Sequence, residues 1–432
     1  MSKSYDIIVV GAGSAGSTAA ICAARRGART LLVDRLPFLG GTSTAVLDTF
    51  YAFFTPGETG LRVVGGLGWE LVGRLKAAGV AFERPNTYGA GTGVTYDQEV
   101  LKVTWEQLAE EAGVEILLHT WATGVRVVEG RIAAVRLWNK GGESWVEGAA
   151  VVDASGDADL CAMAGVKYED IRSTPNLQSL STIFRLANVD VDRAAVLPKT
   201  EMWARMRAAA ESGRYRLPRL EGSWHRTPHP GVVTVHMTRI PHVDATDPVE
   251  LTRAEIVGRR QVQEYHRFLR DQVAGFEHSV LVATSPAIGV RESRRVIGDH
   301  VLTRDDVLGA CRFTDEIALC GAPIEDHAAG PDTRWTYVPQ SGVYGIPYRC
   351  LLPAGIEGML VAGRCFSSSH DAHASARSMA TCMAMGQAAG TAAALAAAAG
   401  LTPRSLDVTL LLERLATDGA LIEPLPPNRS ET

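Results

Sequence analysis

The chain has 432 residues, a formal net charge of −5, 46% hydrophobic residues and 21% charged residues. This composition excludes a disordered or fibrous chain, and the acidic balance argues against a general affinity for nucleic acid or for an anionic membrane. The length allows about two to four domains, or one large α/β core carrying an insertion.

Tyr5 to Val10 is a short, unbroken apolar run, the pattern of a central parallel strand. The glycine turn Gly11-Ala12-Gly13-Ser14-Ala15-Gly16 follows directly. An Ala-rich helix is predicted over 17–26, with Gly27 to end it. A second strand is predicted over 29–33, closing on Asp34. Residues 45–93 read as loops and short helices. Thr95 and Gln98 have the spacing of a capping box, and Leu101, Thr104, Trp105, Leu108 and Ala112 then follow helical spacing up to Gly113. Short strands are expected over 114–119, 124–128 and 132–137, and another running to Val152.

The character changes near residue 172. Strands are expected over 180–186, 231–240, 293–302 and 316–321, and helices over 202–212 and 248–273. Core pattern returns with a strand over 358–362 and a long helix over 377–400. The stretch Ser378 to Pro403 carries no charge and is long enough to cross a membrane. Its residues are mostly small and include Gln387, so a buried helix is the expectation. The resulting fold class is α/β: a discontinuous Rossmann-like domain from 1–170 and 330–432, with an α+β substrate or cap domain inserted at 171–329.

Seven cysteines are present: Cys22, Cys161, Cys311, Cys320, Cys350, Cys365 and Cys382. They are odd in number, widely spaced and lack C-x-x-C, which fits neither a disulfide framework nor structural zinc. The first apolar run is too short for a secretion signal, and a cytoplasmic location is expected. The glycosylation triplet Asn428-Arg429-Ser430 is read as chance.

The glycine turn sits in its required context of strand before, helix after and acid 23 residues beyond Gly11. Gly11 permits the tight turn, Gly13 lets a pyrophosphate approach the backbone, and Gly16 lets helix and strand pack. The helix N-terminus offers N–H donors to that pyrophosphate. Asp34 can accept from ribose hydroxyls and disfavours a 2′-phosphate. NAD and FAD share this fingerprint. Gly40-Gly41-Thr42-Ser43, the strand end 153–157 and Gly363-Arg364 are further loops able to line one long ligand. The second glycine cluster, Gly89 to Gly93, lacks a preceding strand and is read as a loop, so no second nucleotide site is expected.

Five segments together resemble the large family of FAD-dependent oxidoreductases related to fumarate reductase flavoproteins and, more distantly, to glutathione reductase. They are YDIIVVGAGSAGSTAA at the start, VVDASGDADL at 151–160, IGVRESRRVIGDHVLT at 288–303, YGIPYRCLLP at 344–353, and the run from GMLVAGRCF at 358 to residue 396. The resemblance implies a noncovalent FAD. Gly11, Gly13, Ser14, Ala15 and Gly16 would hold its diphosphate, and Asp34, beside Arg35, its adenosine ribose. Gly41, Thr42 and Ser43 would lie along the diphosphate towards the flavin. Ala154, Gly156 and Asp157 would flank the adenosine side, and Gly363 and Arg364 would meet the ribityl chain. The helix beginning near Met379, with Met383 one turn on, would point its N-terminus at the flavin. There it stabilises negative charge on reduced flavin, and its small residues would let the isoalloxazine approach. The acid is Asp where the family more often has Glu.

Arg291, Arg294 and Arg295 form a dense basic run around Glu292. On a strand, Arg291 and Arg295 would share one face, which suits either an anion site or a salt-bridged face. Arg377 precedes the flavin-proximal helix. His327 and His370 are candidate acid–base groups, and His373 lies beside the second of them. No metal-ligand spacing is visible and no metal is expected. The predicted activity is hydride transfer between flavin N5 and a small-molecule substrate, possibly anionic, with Arg291, His327, His370 and Arg377 as catalytic candidates. A flavin monooxygenase and a non-redox flavoprotein are the alternatives.

Overall fold

The computed structural model describes residues 3–58, 60–86, 89–174, 176–328 and 330–426; the triplet at 428–430 lies outside them. Strand β1 (Lys3–Val10) leads through the glycine turn into helix α1 (Ser14–Arg25) and strand β2 (Thr30–Val33). Helices α2 (Gly66–Ala77) and α3 (Gln98–Ala112) follow. Next come β3 (Glu115–Leu117), β4 (Trp121–Val128), β5 (Arg131–Asn139) and β6 (Gly142–Asp153). These strands form one sheet in the order β3-β2-β1-β6-β5-β4. β1, β2, β3 and β6 are mutually parallel, and the β4–β6 meander is antiparallel.

The middle of the chain builds a second, antiparallel sheet from β7 (Phe184–Ala187), β8 (Ser223–Arg226), β9 (Val233–His236) and β10 (Val280–Thr284), in the order β8-β9-β7-β10. Helix α4 (Pro248–Gln272) belongs to it; Asp247 caps α4 by accepting from the Val249 and Glu250 N–H groups. The chain then returns to the first sheet. Strand β11 (Met359–Val361) pairs in parallel with β6. Helices α5 (His370–Ala376) and α6 (Met379–Ala398) follow.

Alternation along β1 divides the packing of the first sheet. Ile7 and Val9 point into a core with α1, α2, α3 and α6, whereas Ile8 and Val10 point into a second cluster with Val151, Met359 and Val361. A third core joins Phe184, Leu186, Val233 and Val235 to Val262, Tyr265 and Phe268 of α4. Leu302, Ile317, Leu319 and Ile324 pack into the first core rather than the third.

β1 lies between β2 and β6, so the winding of the sheet reverses at its C-terminal end. That is where open α/β sheets bind ligands. Helix α6 is buried along nearly its whole length, and among the described residues no helix is long and apolar enough to cross a membrane.

Several local expectations are corrected. Helix α1 begins at Ser14 rather than Ser17, because Gly13 serves as its cap. The cap of α3 is Asp97, whose carboxylate accepts from the Glu99 and Val100 N–H groups; Thr95 is in a strand. Residues 45–93 hold a three-stranded sheet of Thr49–Phe50, Gly93–Tyr96 and Ala81–Arg84, as well as α2. Of the strand expected over 293–302 only Arg295–Val296 forms. The neighbouring side chains are drawn into separate polar contacts, so the alternation argued for Arg291 and Arg295 does not apply.

Candidate active site

The glycine turn is shaped by close packing on two sides and by open space on the third. Gly11 has φ +95°, and a Cβ there would stand 2.3 Å from the Ala154 carbonyl oxygen. A Cβ on Gly16 would stand 1.7 Å from the Gly11 carbonyl oxygen. A Cβ on Gly13 would meet nothing within 4 Å. Gly41, at φ +54°, would bring its Cβ to 2.7 Å from Gly13 Cα, and the Gly40 N–H donates to the Ala12 carbonyl at 2.7 Å. The second glycine pair therefore lies against the first turn. Thr42 opens a four-residue helix, and Ser43 Oγ donates to the Gly40 carbonyl.

Asp34 ties the second strand to this turn. Its Oδ2 accepts from the Ala12 N–H at 2.5 Å and its Oδ1 from the Leu36 N–H at 2.7 Å. Burial pushes its pKa up and outweighs those backbone donors. Ser14 Oγ is buried at the start of α1 with no hydrogen-bond partner among the described residues. An unpartnered hydroxyl, a helix N-terminus and open space at Gly13 fit a diphosphate; Asp34, held with free lone pairs, fits the ribose of FAD. Arg35 next to it is exposed.

On the other side of β1, Ala154 donates its N–H to the Val10 carbonyl. Asp157 accepts from Arg364 Nη2 at 2.9 Å and from Ser293 Oγ at 2.7 Å. Burial would raise the Asp157 pKa, but these two donors hold it below its ordinary value. Gly156 stands against the Arg364 guanidinium, where a Cβ would approach Nη2 to 2.8 Å. A Cβ on Gly363, at φ +88°, would come within 2.8 Å of Ala15 Cβ. Gly363 therefore stands against the first turn of α1, with Cys382 Sγ of the first turn of α6 4.0 Å from the same Cβ position.

The small residues of α6 have a different cause from the one expected. Cβ atoms on Gly386 and Gly390 would fall 2.1 and 2.0 Å from the carbonyl oxygens of Ala15 and Ala19. The helices pack backbone to backbone there, and that contact requires glycine at these two positions. Met383 lies in the core against Gly68 of α2, its sulfur 3.3 Å from where a Cβ would sit.

A cavity of about 400 Å³ opens between the three-stranded sheet, the β8–β9 hairpin and a hairpin of Ile324–Asp326 with Arg334–Thr336. Arg84, Lys199, Arg219 and Arg291 line it, against the acids Glu221 and Glu325. Gly89 and Ala90 of the second glycine cluster also line it, which gives that loop a place. Tyr51 links this cavity to helix α6: its side chain lines the cavity and accepts from Arg84 Nη2 at 2.9 Å, while its carbonyl accepts from the Ala380 N–H in the first turn of α6.

The expected catalytic residues divide here. Arg291 reaches the cavity and donates from Nη1 to the Ser179 carbonyl and to Ser181 Oγ. Burial, with Arg377 and Arg219 nearby, lowers its pKa. Arg377 is turned towards Glu325 and Glu292, and its Nε and Nη2 are buried with no hydrogen-bond partner among the described residues. His327 lines the cavity, bonded through Nε2 to Glu325 Oε1 at 2.7 Å and through Nδ1 to Thr333 Oγ1. Burial pushes its pKa well down.

His370 instead joins a structural cluster. Its Nδ1 is 2.9 Å from Glu292 Oε1, and Arg295 pairs with both Glu292 and Glu169. Burial opposes the charged ring, but the Glu292 contact prevails and the His370 pKa rises. Glu292 and Arg295 are fully buried. Arg294 reaches Asp159 and the Asp157 carbonyl. Of the basic run, only Arg291 faces the cavity.

Sequence reasoning missed Asp48, His225 and His236. Ser223, His225, Thr234 and His236 share one face of the β8–β9 hairpin, because Ser223 pairs with His236 and His225 with Thr234. The opposite face carries Trp224, Val233 and Val235 into the third core. His225 Nε2 lies 2.8 Å from Asp48 Oδ1, and Thr234 Oγ1 donates to Asp48 Oδ2 at 2.5 Å. Burial would raise the Asp48 pKa, but these contacts hold it well below the carboxylate range. The polar–apolar alternation of both strands was the signal available.

Curated relatives match over limited stretches. A digeranylgeranylglycerophospholipid reductase of Thermoplasma volcanium is 25% identical over 203 residues, 44% of this chain and 48% of that protein. A probable fumarate reductase of Shewanella frigidimarina is 36% identical over 75 residues, 17% of this chain and 13% of that protein. The matched part thus spans about half the length of the first of these relatives. Among solved structures, a geranylgeranyl bacteriochlorophyll reductase-like protein of Thermoplasma acidophilum aligns over 97% of this chain and 84% of its own, with TM-score 0.50 and 15% identity, a likeness of fold. The family described as FAD dependent oxidoreductase matches residues 6–415. With the dinucleotide cradle in place, the chain belongs to the FAD-dependent oxidoreductases.

Proposed function

We infer that this enzyme transfers hydride between FAD and a small anionic organic molecule seated in the 400 Å³ cavity. The observation that carries this reading is Arg291, which lines the cavity, with Arg377 near it, a buried guanidinium that does not itself line the cavity and has two nitrogens unpartnered among the described residues. A buried cation with unmet donors is costly unless an anion meets it. Arg377 stands close enough to Arg291 to depress its pKa, and a carboxylate between them would meet both. FAD, when bound, supplies the hydride acceptor or donor. The arginines orient the substrate and stabilise charge developing on it. His327, held by Glu325, is the cavity group best placed to move the accompanying proton. Of residues 171–329, the antiparallel sheet β7–β10 with helix α4 acts as the cap over the flavin. A cavity with four cationic side chains suits a small anion better than the geranylgeranyl chain named for the relatives.

The test is an anaerobic screen of small carboxylic acids against the oxidised enzyme, and of their unsaturated analogues against the reduced enzyme, read by flavin absorbance. Bleaching or recolouring with an anionic compound, and its loss in Arg377→Lys, is the expected result. Reaction with uncharged analogues only would exclude the reading.

A further inference from the structure

We propose that Asp48, His225 and His236 form a binding site for a divalent transition-metal ion in the wall of the cavity. One carboxylate oxygen and one nitrogen from each imidazole all lie within 4.8 Å of one another. Asp48 and His225 are buried, and both histidines line the cavity. The two rings lie 4.9 Å apart between centroids. They project from one face of a hairpin whose opposite face is locked into a core, so their backbones are fixed before any ion arrives.

Three features favour an ion over a purely structural cluster. First, His236 Nε2 is buried with no hydrogen-bond partner among the described residues. Second, Thr234 holds Oδ2 of Asp48, which fixes the carboxylate and directs Oδ1 at His225. Hydroxyl support of a ligating carboxylate is the ordinary second layer of a metal site. Third, the cavity leaves room for a water or substrate atom as a further ligand.

Ligand distances of about 2.0–2.2 Å put neighbouring ligand atoms about 3.0–3.5 Å apart. The 2.8 Å contact of Asp48 with His225 would open slightly, and His236 would swing in. Two imidazoles and one carboxylate select zinc, iron, cobalt, nickel or copper over magnesium or calcium. Arg84 and Arg219, which share the cavity, oppose a dication, so the affinity should rest on the imidazole bonds and not on bulk charge. The inference does not depend on the proposed substrate.

The experiment uses the full FAD-loaded chain, stripped with chelator and titrated calorimetrically with Zn2+. Copper loading then counts ligating nitrogens by electron paramagnetic resonance. One ion per chain, two imidazole nitrogens and no response to Mg2+ are expected. Asp48→Asn, His225→Gln and His236→Gln should each abolish binding while keeping FAD. Thr234→Val leaves all three ligands present and should weaken it about tenfold. His229→Gln, outside the cluster, should change nothing. Absence of stoichiometric Zn2+ binding, or binding indifferent to all three ligand variants and to Thr234→Val, overturns the proposal.

Discussion

The dinucleotide cradle and the cavity are built in opposite ways. The cradle is largely local: strand, glycine turn, helix and acid occupy 30 or so consecutive residues, and Gly16 answers to a neighbour a few residues away and Gly13 to open space, with Gly11 answering to a distant strand end at Ala154. The cavity is assembled from segments far apart in the chain. Asp48 meets His225 across 177 residues, and Arg291 meets Ser179 across 112. A local site is fixed by backbone shape and fails when shape is disturbed. A distributed site is fixed by the cores around it and can lose chemistry while keeping its fold.

The sharpest test of the contrast lies inside the cradle. Gly16→Ala puts a Cβ 1.7 Å from a backbone oxygen, and should cost about 3–5 kcal/mol or prevent folding, read by thermal melting and flavin content. Gly13→Val has space for its side chain in the protein and none once a diphosphate is bound. It should keep the fold and lose FAD. If the two variants behave alike, the division between packing glycine and ligand glycine is wrong.

The Glu292 cluster should behave as structure. Arg295→Met leaves Glu292 buried without its guanidinium partner, and a loss of about 3–5 kcal/mol follows. Glu292 is held down to about 2 from an ordinary 4.5: burial opposes this, and His370, His373 and Arg295 outweigh it. Because the folded value is the lower one, its stabilisation is fully present above the ordinary value and is lost as pH falls from about 4.5 through 2. Acid unfolding followed by circular dichroism should begin at higher pH in His370→Gln than in the wild type.

At Arg291 in the cavity, and at Arg377 near it, the effects should fall on turnover. Arg377→Lys and Arg291→Lys keep charge and lose the guanidinium fork. Each should retain FAD and melting temperature while losing the equivalent of about 1.5–3 kcal/mol in kcat/KM. Lower melting temperature with unchanged turnover would make them structural. The smallest effect belongs to Met383→Leu. A core residue against Gly68 should tolerate it for under about 1.5 kcal/mol with FAD retained; loss of FAD would restore Met383 to the cofactor site.

The sequence shows the cradle because its signals are short-range. An unbroken apolar strand, Gly13, Gly16 and Asp34 each carry their reason within one supersecondary unit, and Gly11 shares in it through the positive φ of its turn. Helix α6 was legible as a buried helix for the same cause, but not the purpose of its glycines, since Ala15 and Ala19 lie some 370 residues earlier in the chain. The basic run at 291–295 could be read as a cluster but not divided. Asp157, Glu169 and Glu292 claim two of its three arginines in space, and a strand that fails to form removes the periodicity that would have paired them. His225 and His236 were missed because each looks ordinary until the hairpin register sets them side by side.

The central claim is that an anion binds beside the flavin through Arg291 and Arg377. The most direct measurement is titration of the oxidised, FAD-loaded enzyme with malonate, following the flavin visible spectrum. A saturable spectral shift is predicted in the wild type, weakened at least about tenfold in Arg377→Lys and Arg291→Lys. No shift, or an equal shift in the wild type and both variants, would contradict it.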